Sequence, residues 1–226
     1  QSVAKTLADV VQCRPVLEPV LRAFEPLLTA QAQLAEDLVD SVCASGLKLP
    51  QAQPGALEQG LSLLAGVPFA GAAGPLRQSA EKLLPLLGAL ETLAPHMPAL
   101  EAFFLAPAPV AKKKKGKGAG AKATPDPRET LAEALLSGNA EEESRLAAEH
   151  GLEPSVLHFA FSFVLAPVLR ALVRSGLPEE GEAPWDAGSV WRQGYCPVCG
   201  SFATIAWVDK PVLDEKNAYL VGGGGK

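Results

Sequence analysis

Residues 154–175 read PSVLHFAFSFVLAPVLRALVRS. Apolar side chains fall on nearly every face of a helix built from this stretch, which places it near the centre of a helical bundle. Its apolar run from Leu157 to Val173 is interrupted by His158, Pro167 and Arg170. That falls short of the roughly 18–20 clean residues of a membrane span, so a buried helix is predicted and no membrane insertion. No Cys, His or Asp lies three or four residues beyond His158 to share a metal with it. His158 therefore reads as a hydrogen-bonded core or boundary residue.

Upstream, helical periodicity covers Arg128–Ser137 and resumes over Ala140–His150 after the Gly138-Asn139 punctuation. Before it, residues 106–127 read APAPVAKKKKGKGAGAKATPDP. Alternating Pro, Lys, Gly and Ala buries too little apolar surface to offset ordering entropy, so a disordered loop is expected. A patch for nucleic acid or anionic lipid is the rival, but no aromatics are interleaved with the lysines.

Further toward the N-terminus, Pro95 and Pro98 start a helix ending near Leu105. Pro75 opens another through Leu90, kinked at Pro85. Gly66–Gly74 and Gly46–Pro54 read as loops flanking a short helix from Ala56 to Leu64. From Arg14 to Ser45 a stripe of Val16, Val20, Phe24, Leu27 and Leu28 marks a helix, with Pro19 and Pro26 predicting either kinks or a break into two helices near Thr29. Cys13 and Cys43 sit among Leu, Val and Ala and are expected to be buried and inert.

Downstream, residues 178–184 form an acidic linker containing Gly and Pro, and the composition then changes. All three tryptophans and both tyrosines lie beyond it, with short extended segments at Thr204–Val208 and Ala218–Val221. The predicted fold is mainly α: a helical domain over residues 1–178, then the start of a small β-rich zinc-ribbon or rubredoxin-like knuckle module over 185–226.

The totals agree with this division. Of 226 residues, 48% are apolar and only 6% aromatic, with Ala and Leu dominant, as a soluble helical protein requires. The net charge is −5 although the lysine-rich stretch is basic, so the folded body is acidic and nucleic acid is not expected as a partner. Four cysteines in so long a chain make no disulfide scaffold; a reducing, cytoplasmic setting is expected, and no secretory signal is seen in the opening residues. No Ser-His-Asp, paired-carboxylate or phosphate-loop constellation supports an enzyme.

The one strong chemical motif is Cys196-Pro197-Val198-Cys199-Gly200. Two thiolates two residues apart converge on one metal ion in a tight turn. Pro197 fixes φ at its start, and Gly200 permits a left-handed backbone that aims amides at the sulfurs. Such a knuckle supplies half of a tetrahedral site for zinc or a rubredoxin-like iron. A thiol-redox pair, two unliganded structural thiols and a zinc-ribbon adaptor for nucleic acid remain as alternatives, although Gly200 and Ser201 interrupt the helix a redox pair wants and the acidic body counts against nucleic acid.

The surrounding residues, Trp191-Arg192-Gln193-Gly194-Tyr195-Cys196-Pro197-Val198-Cys199-Gly200-Ser201, resemble the W-x-x-G-x-C-P-x-C-G-S signature of the FdhE-type formate dehydrogenase accessory proteins. A long helical region joined to a cysteine-rich end is similar too. The resemblance implies a cytoplasmic, non-enzymatic maturation factor. It would engage the catalytic subunit of a molybdenum- or tungsten-dependent formate dehydrogenase. It also implies C-terminal Cys pairs binding iron or zinc, with Cys196 and Cys199 as the metal ligands here. The later C-x-x-C pairs are absent, so a chain truncated within that domain is expected, and little or no metal held by these residues alone.

Overall fold

A computed structural model of the chain describes residues 2–51, 55–107, 125–177, 191 and 193–201. Among the described residues there are eight α-helices and no strand, so the protein is mainly helical. The helices are α1 (Val3–Cys13), α2 (Glu18–Asp37), α3 (Val39–Ser45), α4 (Ala73–Leu87), α5 (Met97–Leu105), α6 (Pro127–Ser137), α7 (Ala140–Glu149) and α8 (Pro154–Gly176).

Helix α8 is the axis of the bundle, and α2, α3, α4 and α7 pack around it. By length and composition it would suffice to cross a membrane, yet half of its most apolar window is buried inside the protein. Leu157, Phe161, Val164, Val168 and Leu172 are fully enclosed. Each such side chain contributes about 1.5–3 kcal/mol relative to exposure. Phe104 stacks on Phe161 with ring centroids 5.7 Å apart, which ties α5 to the same core.

Pro167 lies inside α8 and cannot donate to the carbonyl of Phe163. Two neighbouring helices bond carbonyls at this point, one of them the carbonyl that the proline leaves without a donor. Gln31 of α2 donates its side-chain amide to the Phe163 carbonyl at 2.8 Å, and Ser79 of α4 donates its hydroxyl to the Val164 carbonyl at 2.7 Å. Both polar side chains are buried, so the interruption of the ladder is a site of specific inter-helix bonding.

A second device joins α4 to α6. The N-cap of α4 is Ala72, which has no side chain able to accept from the first-turn amides. Glu129 accepts instead from the amides of Gly71 at 2.7 Å and Ala73 at 3.2 Å, and Glu133 accepts from Phe69 at 2.7 Å. At the start of α6, Arg128 and Asp126 form a buried ion pair. Its Nε and Nη2 donate to the carboxylate at 2.8 and 2.6 Å, while Nη1 donates to the carbonyl of Phe104 at 2.7 Å. The bidentate geometry and the carbonyl satisfy a cation that would otherwise be costly to bury.

Several expectations need correction. Helix α2 runs unbroken through Thr29, with Pro19 in its first turn and Pro26 inside it; the chain breaks at Leu38 instead. The predicted short helix at 56–64 is a series of turns, because Gly55 and Gly60 adopt φ of +77° and +80° and end any helix there. Cys13 and Cys43 are both exposed. Helix α1 buries none of its residues, and Cys43 follows the fully buried Val42, so helical rotation carries it outward. His158 makes the expected hydrogen bond, to Glu143 at 2.8 Å, but on the outer surface of α8. The lysine-rich run and the segments Thr204–Val208 and Ala218–Val221 lie outside the described residues.

Candidate functional site

Residues 193–201 fold as a tight knuckle against the bundle. The Gly200 amide donates to the Cys196 carbonyl at 2.9 Å, and the Cys196 amide donates to the Ser201 carbonyl at 2.8 Å. Gly200 sits at φ +75°, as the motif predicts. The turn carries Cys196 and Cys199 to the same place, with sulfurs close enough to share a proton. The Cys199 sulfur also lies 3.3 Å from the Ser201 hydroxyl.

The two thiols have opposite acidities. The Cys199 thiol donates to the Cys196 sulfur, and the amides of Cys199 and Val198 point at that same atom. Together they lower Cys196 to about 5 despite partial burial. Cys199 is pushed up, first because its proton is held between the sulfurs and then by desolvation. The shifts run in opposite directions, so Cys196 is the sulfur that gives up its proton first.

The knuckle is latched to the loop before α4 mainly through main-chain bonds. The amides of Leu63 and Leu64 donate to the carbonyls of Pro197 and Val198, each at 2.9 Å. Tyr195 donates its hydroxyl to the Gly60 carbonyl at 2.5 Å, and Trp191 donates its indole N–H to the Tyr195 carbonyl at 2.8 Å. A Cβ on Gly60 would come within 2.9 Å of the Tyr195 hydroxyl and the Gln193 amide. Val198 is buried against the core of the bundle, and Cys196 and Cys199 pack at its edge.

Thus Cys196 and Cys199 are brought together as the motif requires, and among the described residues no other metal-ligating side chain joins them. Among the described residues no group of three or more His, Cys, Asp or Glu side chains can hold a metal ion. The donor set fits half of a tetrahedral thiolate site: two sulfurs in one turn, with Cys196 the more acidic and amides directed at it. Cys13 and Cys43 stand elsewhere on the surface and do not contribute to it.

Sequence reasoning missed the space beside the knuckle. Cys196, Val198, Cys199 and Ser201 form one wall of an open groove of about 560 Å³. Helix α6 contributes Leu135 and Leu136, and α8 contributes a row running from His158 to Arg174. The signal available was Arg170 and Arg174 on an otherwise apolar helix, which require a solvent-facing side. No family model, no curated protein and no solved structure matches this chain.

Proposed function

We propose that the protein is an accessory factor that holds a client enzyme subunit on a helical body, with the Cys196–Cys199 knuckle as its metal-binding element. The client is the catalytic subunit of a molybdenum- or tungsten-dependent formate dehydrogenase. The eleven-residue resemblance around the knuckle supports this choice. The observation that carries the metal reading is the convergence of two sulfurs and two sulfur-directed amides in one turn. Cys196 and Cys199 would hold iron or zinc, which would supply structural cross-linking. No acid–base constellation is needed for such a role.

Pull-down with the full chain tests the client, in cells that make such a formate dehydrogenase. The catalytic subunit is expected to be enriched over a bait lacking all cysteines; no enrichment removes the main support for the reading. Cobalt(II) titration tests the knuckle independently. Thiolate-to-cobalt absorption should appear, vanish in Cys196→Ser, and be lost to a chelator because two sulfurs are half a site.

A second reading rests on the same pair. One lowered and one raised thiol is the arrangement of a thiol-exchange centre. Catalysed reduction of insulin by dithiothreitol, abolished in Cys196→Ser, would favour it over the accessory role.

A further inference from the structure

The groove along α8 shares one wall with the Cys196–Cys199 knuckle, and its other walls, on α6 and α8, are surfaces that the accessory reading leaves unused. Counted from His158 to Arg174, its α8 wall is about 24 Å long at 1.5 Å per residue. That matches about seven residues of extended peptide at 3.3 Å each. The groove is open along its course, whereas an acyl chain needs enclosure from water.

Its chemistry is one-sided. Leu135, Ala166, Leu169 and Val173 line it with apolar surface, and no Asp or Glu lies among its described lining residues. This is notable in a chain with 25 acidic and 20 basic side chains. Two of its three basic groups are already engaged: Arg174 pairs with Glu36 at 3.1 Å and His158 with Glu143 at 2.8 Å. Arg170 is exposed and has no carboxylate partner among the described residues.

We infer that this groove binds an extended segment of the client, with apolar side chains seated along α8 and a carboxylate paired to Arg170. The inference rests on the accessory-factor reading and names the kind of client sequence recognised. The segment would lie alongside the knuckle, so client capture and the metal-binding element share one face. Apolar contacts would give affinity, and the uncommitted guanidinium would set register and select acidic sequences.

Phage-displayed random 12-residue peptides, panned on the full chain, provide the probe. Enriched peptides should carry apolar residues with at least one Asp or Glu, and a fluorescein-labelled copy should bind measurably. Arg170→Glu should weaken that copy tenfold or more, as should Ala166→Trp, which fills the groove. Raising salt from 50 to 500 mM should weaken it too. Arg170 is exposed, so its variant stays folded even if the tryptophan does not.

Failure to enrich any peptide, or binding that Arg170→Glu leaves unchanged, overturns the inference. So does a groove already filled by residues 202–226, seen as peptide binding that appears only when they are deleted. A groove buried between two copies, seen as a dimer that Ala166→Trp dissociates, also overturns it. The panning needs no formate dehydrogenase. Capture of that enzyme without peptide binding would sink the groove alone; peptide binding without capture would sink the choice of client.

Discussion

The side-chain amide of Gln31 donates to the carbonyl of Phe163, the group that Pro167 deprives of its helical partner. Removing the donor leaves a buried acceptor, which costs about 1–3 kcal/mol. Gln31→Ala is therefore expected to lower the unfolding free energy by that amount, read from urea unfolding. In a Pro167→Ala background the amide returns to α8, so the same substitution should cost measurably less. An equal cost in both backgrounds would disconnect the bond from the proline.

Glu129 caps a helix to which it does not belong. Glu129→Ala should destabilise by about 1–2 kcal/mol, in the range of a lost N-cap. Hydrogen exchange should accelerate first at the Gly71 and Ala73 amides. Uniform acceleration over the whole of α4 would place the effect elsewhere.

The buried pair of Asp126 and Arg128 predicts an asymmetric response. Asp126→Ala leaves an uncompensated guanidinium and should cost about 3–5 kcal/mol. Replacing both with apolar residues of similar size should cost clearly less. Chemical denaturation of the two variants separates these outcomes.

The thiol pair predicts a pH profile. With Cys13 and Cys43 changed to Ser, iodoacetamide should modify Cys196 first. A thiol lowered from the usual 9.0 to about 5 is ionised above that value and protonated below it. The rate should thus stay flat from about pH 9 to 6, then fall by half near pH 5. Cys199→Ala removes the S–H donor and should move the midpoint upward. A midpoint that stays at the ordinary thiol value in the metal-free parent would show the pair is not hydrogen-bonded as described.

The helical architecture was legible because its signals are local. The apolar density of residues 154–175, the Gly138-Asn139 break and the prolines at 75, 95 and 98 each act within a turn or two of chain. Local signals failed where a distant partner decides. Nothing near Thr29 shows that α2 continues past Pro26, and nothing near Cys13 shows that α1 lacks a covering helix. The knuckle was readable from Cys196 to Gly200 because its turn is closed by its own residues. Its latch to residues 60–64 and the groove beside it were not, since the latch joins residues 135 apart and the groove is assembled from three separate segments.

The latch bonds between Leu63–Leu64 and Pro197–Val198 are made by main-chain groups, which every amino acid but proline can supply. A saturation scan of those four positions would find the docking bonds almost invisible. Gly60, where any side chain meets Tyr195 and Gln193, and Gly200, whose backbone is left-handed, would register strongly, alongside the buried Leu64 and Val198. The attachment of the thiol module can thus persist through extensive drift in sequence, and its recognisable trace is two glycines 140 positions apart.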